Sequence, residues 1–111
     1  MNIKFSIIVP TLNSKIFLNK CVINILNQSY KNFEIIVVDG GSNDGTVEYL
    51  KTFGKRIKWI SEKDNGQADA INKGISISNG NWITWQNSDD YYHDKEALML
   101  FTNAIKSNTK K

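Results

Sequence analysis

Cysteine, histidine and proline each occur only once in this chain of 111 residues. The single cysteine, Cys21, excludes a disulfide within the chain and any metal site built from several cysteines. Because disulfides mark oxidising compartments, a reducing compartment is the default, and we expect the protein in the cytoplasm. Zinc is also disfavoured, since it is usually held by sets of cysteine and histidine.

Long apolar runs and concentrated charge are missing as well. No early run approaches the length of a membrane span, and the first residues lead into a strand-like segment without the layout of a signal peptide. The net charge is +3, but lysine and arginine form no stripe interleaved with aromatic residues, so no nucleic-acid binding is predicted. A mildly basic surface favours an anionic ligand, or membrane headgroups and hence peripheral association with the inner face of a membrane.

Two kinds of apolar segment alternate along the chain. Short runs rich in β-branched residues predict strands, and the stretches between them repeat apolar residues at helical spacing. The predicted strands are residues 4–10, 33–39, 57–60 and 82–86, and the predicted helices are residues 14–28, 46–53, 65–77 and 95–106. This alternation predicts an α/β fold, a Rossmann-like three-layer sandwich whose mostly parallel sheet of about four strands has helices on both faces.

Individual residues predict further details of these elements. Pro10 is expected to end the first strand, and Asn65 to cap the third helix. Residues 82–86 are expected to form a buried strand. Cys21 lies on the apolar stripe of the first helix, which indicates a buried, inert thiol rather than a nucleophile.

Polar residues follow three of the predicted strands. They are Pro10-Thr11-Leu12-Asn13, Asp39-Gly40-Gly41-Ser42 and Asn87-Ser88-Asp89-Asp90. Parallel strands end at the same edge of a sheet, where ligands bind in open α/β folds. We therefore expect the three clusters to form one site.

The glycine-rich residues 40–45 invite comparison with phosphate-binding loops. They lack the G-x-G-x-x-G spacing, and Thr46-Val47 stand where a P-loop needs lysine followed by serine or threonine. Neither phosphate loop is predicted. Two interpretations of Asp39 stay open: it accepts an N–H from a base such as uracil, or it accepts the amides of its own turn.

Two adjacent carboxylates, Asp89 and Asp90, follow the fourth predicted strand. Mg²⁺ and Mn²⁺ take oxygen ligands, and one or two carboxylates with the phosphates of a substrate are enough to hold them. The same cluster also suits a solvated turn, so both interpretations stay open at this point. His93, the only histidine, is interpreted as a surface residue rather than a ligand or base.

The segment from Asp64 to Gly74 is more polar than an ordinary amphipathic helix. Gly66 would let the backbone approach a ligand closely, and a helix that starts there would favour a diphosphate. A capped surface helix is the alternative.

Taken together and in order, these motifs resemble the nucleotide-sugar half of the family 2 glycosyltransferases, which have the GT-A fold. The matching segments are residues 6–13, 34–46, 61–74 and 87–90, and the resemblance extends over nearly all of residues 3–100. It implies an inverting, metal-dependent transfer of sugar from a nucleotide-diphosphate sugar, with UDP as the expected nucleotide. The implied acceptor is a saccharide or lipid-linked molecule, and the implied pathway is synthesis of surface polysaccharide.

The resemblance also implies roles for individual residues. Thr11 and Asp39 would hold the nucleobase beside Pro10, and Asp89, the last acid of the family's D-x-D motif, would bind Mn²⁺ or Mg²⁺. Asp90 would orient the loop or touch the donor sugar. The other substrate-binding residues expected from the matching motifs are Asn13, Gly66, Asp69, Asn87 and Ser88.

Two positions depart from the family's pattern. Asn87 stands where the first acid of the D-x-D motif usually lies, so it keeps a hydrogen-bonding group for ribose but lowers the negative charge of the site. Gly40 replaces a second acid that is common after Asp39, which leaves the acid that would read the base in place.

In this family the general base that inversion requires lies in an acidic motif beyond Lys111. The resemblance therefore implies that residues 1–105 are the nucleotide-sugar-binding half of a GT-A domain, without a catalytic base, and that residues 106–111 are a polar tail. Without the other half, the sheet edge beside residues 82–86 would be uncovered, which predicts self-association.

Two other hypotheses fit parts of the pattern. One is a module that binds a nucleotide sugar but transfers nothing. The other is a flavodoxin-like or receiver-type domain, phosphorylated or flavin-bound at Asp39, which gives no reason for the Asn-Ser-Asp-Asp cluster.

Overall fold

The computed structural model describes residues 2–89, 92 and 94–109, and within them strands and helices alternate as predicted. The strands are β1 (Phe5–Thr11), β2 (Phe33–Asp39), β3 (Lys58–Ser61) and β4 (Trp82–Trp85). The helices are α1 (Lys15–Leu26), α2 (Thr46–Lys51), α3 (Gln67–Ser76) and α4 (Ala97–Thr109), with a short 3-10 turn at Gly54–Arg56.

The strands pair in the order β3-β2-β1-β4, and every pair is parallel. β1 and β2 pair along their whole length, which places Thr11 opposite Asp39 at the carboxyl edge of the sheet. β4 pairs only with the first part of β1 and ends with Trp85 opposite Ile8. The last residues of β1 therefore extend beyond β4.

Alternate residues of the central strands face two different helical layers. Ile7 and Ile35 belong to the larger core, which α1, α2 and α4 cover. Ile8 and Ile36 face the smaller core on the other side of the sheet, where they meet Ala70 of α3. A parallel sheet between helical layers is the fold predicted from the sequence.

Pro10 lies inside β1, so the expectation that it ends the strand was wrong. Backbone groups of a strand point alternately to its two neighbours, and the carbonyl of Ile8 accepts a hydrogen bond from the N–H of Gln86 on the β4 side. Pro10 points to the same side, where β4 has already ended. Its missing N–H therefore breaks no ladder bond.

β4 is an exposed edge strand, as expected for the sheet edge beside residues 82–86, and not the buried strand that its apolar run suggested. Trp82, Ile83 and Trp85 keep 41%, 45% and 49% of their surface exposed. The cause is the strand order, because β4 lies last in the sheet and, within the described residues, pairs with β1 alone. Leu100 and Phe101 of α4 are also largely exposed, so apolar surface remains uncovered on both elements.

The helix boundaries differ in places from the predicted ones. Gly66, with φ 109°, occupies the N-cap of α3 in place of Asn65. α4 continues to Thr109, so residues 106–109, expected as a polar tail, are helical. Cys21 is fully buried, as predicted. The expectations for Asp90 and His93 fall outside the described residues.

No helix in the described ranges combines the length and the apolar character that crossing a membrane requires.

Candidate functional site

A cleft with a volume of about 320 Å³ opens at the carboxyl edge of the sheet. Three stretches of the chain line it: Pro10, Thr11, Leu12 and Ser14 at the end of β1; Asp64, Gly66, Gln67 and Ala70 around the start of α3; and Asn87, Ser88 and Asp89 after β4. Strand-end residues from distant parts of the sequence thus form one site. Of the predicted site residues, Asn13, Asp39 and Asp69 do not line the cleft.

Thr11 lines this cleft and carries a buried, unpaired hydroxyl. Its side chain is 7% exposed, and its Oγ1 has no hydrogen-bond partner among the described residues. Leaving a buried hydroxyl unpaired costs about 1–3 kcal/mol. A ligand in the cleft could supply the missing partner.

The carboxylate of Asp39 is fully buried and bonded to neighbouring protein groups. It accepts the backbone N–H of Ser42 at 2.9 Å and the hydroxyl of Ser61 at 2.8 Å, and the Ser42 hydroxyl is a further donor. Of the two interpretations of Asp39, the bond to its own turn is present in the structure.

Asn13 joins the loop after β1 to the loop after β2. Its φ of 49° lies in the left-handed region, which asparagine tolerates better than most residues. Its N–H donates to the Ser42 Oγ at 2.7 Å, and its Oδ1 accepts the N–H of Asn43 at 2.9 Å. Asn13 was expected to bind substrate, but in the structure its side-chain oxygen is used between the two loops.

Asp44, which sequence reasoning did not select, caps two helices. Its carboxylate accepts the N–H of Lys15 at 3.1 Å at the start of α1, and the N–H of Thr46 at 3.2 Å at the start of α2. The Thr46 hydroxyl also donates to it and is the main reason why the pKa of Asp44 is lowered. An Asp that accepts the N–H two residues further along forms an Asx turn, which is a local signal for the start of α2. No local signal indicates the bond to α1.

Asp64 lines the cleft, and it too was not selected from the sequence. Its Oδ1 accepts the N–H of Gly66 at 3.0 Å, which shapes the turn into α3. A Cβ added at Gly40 would lie 3.0 Å from its Oδ2. The glycine that departs from the family's pattern therefore leaves room for the Asp64 carboxylate.

Asp69 stabilises the start of α3. Its Oδ2 accepts the N–H of Asn65 at 3.0 Å and lies 3.6 Å from the Lys73 Nζ, one turn further along the helix. Gly66 does line the cleft as expected.

The residues after β4 are held from two sides. The amide oxygen of Asn87 accepts a bond from Gln67 Nε2, and the Asn87 carbonyl lies 3.8 Å from the Cys21 sulfur, which donates to it. Ser88 is buried, whereas Asp89 is exposed. Gln67 was not singled out, because its partner lies 20 residues away in the chain.

The donor atoms of the cleft suit a hard cation. Among the residues that the structure describes, no group of three His, Cys, Asp or Glu side chains could hold a metal ion by itself. Asp64 and Asp89 do line the same cleft, and their oxygens match Mg²⁺ or Mn²⁺ rather than zinc. This arrangement fits an ion that is bound by these carboxylates together with the phosphates of a substrate.

Comparison with known proteins identifies the family. The model of glycosyl transferase family 2 matches residues 6–110. The chain belongs to this family. The resemblance to family 2 glycosyltransferases that the sequence motifs indicated is thereby confirmed. The hypothesis of a flavodoxin-like or receiver-type domain is set aside.

Curated relatives of this family 2 chain are longer. Glycosyltransferase GlyA of Streptococcus pneumoniae serotype 4 is 35% identical over 105 residues, which cover 92% of this chain and 15% of GlyA. A PGL/p-HBAD biosynthesis glycosyltransferase of Mycobacterium bovis is 36% identical over 98 residues, which cover 85% of this chain and 38% of the relative. The chain thus spans less than two fifths of either protein.

Solved structures confirm the fold of the family 2 chain. S. aureus TarS 1-349 in complex with UDP-GlcNAc superposes with a TM-score of 0.82 at 26% identity, over 94% of this chain and 31% of that one. A mannosyltransferase from Pyrobaculum calidifontis, in complex with GDP-Man and Mn²⁺, has a TM-score of 0.81 at 24% identity, over 88% of this chain and 31% of that one. The sheet and helices described above are therefore those of a GT-A glycosyltransferase.

Proposed function

We propose that this chain binds the nucleotide-diphosphate part of a sugar donor, with UDP as the nucleotide, and is the donor half of a glycosyltransferase. The observation that carries the proposal is the buried, unpaired hydroxyl of Thr11 in a cleft that also presents the carboxylates of Asp64 and Asp89. The likeness to TarS, which binds UDP-GlcNAc, supports the choice of UDP.

The nucleobase would lie against Pro10 and pair with the Thr11 hydroxyl. Thr11 stands opposite Asp39 in the β1–β2 register, so the buried carboxylate lies at the same end of the sheet. Asp39 would contribute directly to base binding, or through Ser42, which it holds against Asn13. Asn87 and Ser88 would contact the ribose.

The diphosphate would lie toward the start of α3. The first N–H groups of a helix lack acceptors within it, and Gly66 and Gln67 line the cleft at this point. Asp89 would hold Mn²⁺ or Mg²⁺ together with the diphosphate, and Asp90 remains a predicted contact from the sequence alone. When bound, the ion would stabilise the negative charge of the departing nucleoside diphosphate.

The proposed transfer is inverting, to a saccharide or lipid-linked acceptor in polysaccharide synthesis, with peripheral membrane association where the acceptor is a lipid. The carboxylates that line the cleft are used for ligand and ion binding, and the proposed general base is not among the residues of this chain. Residues 1–105 would thus supply donor binding, and another part of a longer protein would supply the base.

A thermal-shift experiment tests the proposal. UDP with Mn²⁺ should raise the melting temperature by several degrees, because a ligand that binds only the folded state stabilises it by about 2.7 kcal/mol at 100 times its Kd. Asp89→Ala should abolish the part of the shift that needs Mn²⁺. Glu48→Ala, an exposed acid on α2, serves as the control and should keep the whole shift. No shift with UDP, GDP or another nucleoside diphosphate would contradict the proposal.

A second candidate function is donor binding without transfer. It is favoured by the share of the TarS chain that this chain covers, 31%. Incubation with a radiolabelled UDP-sugar separates the two functions. Release or transfer of labelled sugar would identify an active enzyme, whereas tight binding of intact donor would identify a binding module.

A further inference from the structure

Asn24 of α1 binds the backbone that follows Asp89. Its Nδ2 donates to the carbonyl of Tyr92 at 2.8 Å, and its Oδ1 accepts the N–H of the same residue at 2.7 Å. One amide side chain thus satisfies both backbone groups of Tyr92, which lies only three residues after Asp89.

Gln28, two residues after the end of α1, makes a similar pair of bonds. Its Nε2 donates to the carbonyl of Asp94 at 2.9 Å, and its Oε1 accepts the N–H of Leu98 at 3.0 Å. Leu98 is in the first turn of α4, where backbone N–H groups have no acceptor within the helix. Gln28 is fully buried, and such burial is unfavourable unless both ends of the amide are bonded, as they are here.

Asp89 therefore lies between two anchored positions. On one side, Asn87 is held by Cys21 and Gln67. On the other side, Tyr92 is held by Asn24. Cys21 and Asn24 are three residues apart and lie on one face of α1, and Gln28 follows two residues after the helix ends at Leu26.

We infer that Asn24 and Gln28 are positioning residues for Asp89: by binding backbone groups of Tyr92, Asp94 and Leu98, they place the Asp89 carboxylate for a divalent cation that a diphosphate also binds. This inference rests on the proposed function. An amide suits the task because it offers both a donor group and an acceptor group and carries no charge that would compete with Asp89 for the ion.

The test uses the whole chain with Asn24→Asp and, separately, Gln28→Glu. An ionised carboxylate keeps the acceptor but loses the donor, whereas a protonated carboxyl group restores both. Calorimetry gives the Kd of UDP with Mn²⁺ and with EDTA for each variant. At pH 7.5, the gain in affinity due to Mn²⁺ should fall by about tenfold or more, as for other residues that orient metal ligands, while the Kd with EDTA stays unchanged.

A pH series makes the test specific to the hydrogen bonds. As the pH falls, the new carboxyl group takes up a proton, and the Mn²⁺-dependent gain should return toward that of wild type measured at the same pH. Asn27→Asp is the matched control, because it places the same charge at an exposed residue between Asn24 and Gln28. The Mn²⁺-dependent gain in UDP affinity of Asn27→Asp, divided by that of wild type, should stay near one at every pH.

Hydrogen exchange of the ligand-free chain gives a second measurement. In the variants the carboxylate still accepts the same N–H group, but it repels the carbonyl that the amide nitrogen had bound, which should loosen the segment. The amides of Tyr92 in Asn24→Asp and of Leu98 in Gln28→Glu should therefore exchange faster than in wild type, and those in Asn27→Asp should not. If the buried Gln28→Glu does not fold, Asn24→Asp alone decides the outcome, since Asn24 is only half-buried.

The outcomes separate the two proposals. If wild type gains no UDP affinity from Mn²⁺, the metal-dependent binding of UDP in the proposed function is overturned, and the inference with it. If wild type shows the gain and Asn24→Asp keeps it despite faster exchange at Tyr92, only the positioning role is overturned. An equal loss with Mn²⁺ and with EDTA would also overturn it, since it would indicate general damage to the cleft.

Discussion

The unpaired hydroxyl of Thr11 destabilises the folded chain, and Thr11 lines the cleft. Replacing it with valine removes the unpaired hydroxyl and nearly preserves the shape of the side chain. We expect Thr11→Val to raise the free energy of unfolding of the ligand-free chain by about 1 kcal/mol, because an unsatisfied buried group is lost. UDP affinity should fall in the same variant. Urea unfolding and calorimetry measure the two effects.

Thr46→Val is the matched control for this prediction. The Thr46 hydroxyl is also buried, but it donates to Asp44. Its loss should lower stability and bring the pKa of Asp44 back up toward its usual value, which NMR titration would detect. A loss of stability in Thr11→Val as large as in Thr46→Val would show that the Thr11 hydroxyl is satisfied in solution.

Sequence reasoning found the cleft residues that follow strand ends. Thr11, Asn87 and Asp89 were predictable because parallel strands end at one edge of the sheet. Asp64 and Gln67 were missed because their positions depend on a close approach to Gly40 and on a partner across the cleft. No periodic pattern in a sequence records such contacts.

At the level of secondary-structure elements, the side chain of Glu34 connects the first three strands. Glu34 of β2 accepts the hydroxyl of Ser6 from β1, lies 2.7 Å from the Lys58 Nζ of β3, and accepts the N–H of Asn79 after α3. Burial alone would raise its pKa, but the bonds from Lys58, Ser6 and Asn79 outweigh burial and lower it to about 2.

This lowered pKa predicts a pH dependence of stability. A carboxylate whose pKa is depressed in the folded state stabilises it above the unfolded pKa of 4.5, and that contribution is lost as the pH falls to about 2. At pH 7, Glu34→Gln should be less stable than wild type by on the order of 2 kcal/mol, allowing for the partly exposed Lys58. Urea titrations between pH 7 and pH 2 should show this difference shrinking toward zero.

Lys58→Met provides the companion measurement. Without its main hydrogen-bond donor, Glu34 should titrate at a higher pH, and the stability of the variant should depend less on pH between 4.5 and 2. If the wild-type and Glu34→Gln curves remained parallel down to pH 2, Glu34 would not be the source of the pH dependence.

The order of elements followed from the alternation of strand and helix patterns, but their environments did not. An apolar run such as Trp82–Trp85 predicts a strand without saying how many neighbours it has, and β4 has only one. Pro10 likewise suggested an end to β1, because the side on which its N–H would point depends on where β4 stops.

For the molecule as a whole, the uncovered edge predicts self-association. β4 is the last strand of the sheet and carries exposed aromatic side chains, and such an edge favours pairing with a second copy. We expect sedimentation velocity to show a concentration-dependent dimer of the 111-residue chain. Ile83→Lys should weaken it, because a charged residue on an edge strand opposes pairing. Ile16→Lys, at a residue of α1 that is 72% exposed, should not. A monomer at every concentration, or equal effects of the two variants, would argue against edge pairing.

The pairing of β4 with β1 has a further consequence, for the order of folding. The N–H of Lys4 donates to the side chain of Asn81, 77 residues away, and β4 can pair with β1 only after this loop has closed. Closing long loops is slow compared with forming local contacts. In pulse-labelling hydrogen exchange, amides between β1 and β2 should gain protection before that of Gln86, which donates to Ile8. Because one wall of the cleft follows β4, UDP binding should appear together with Gln86 protection, as the last property that the refolding chain acquires.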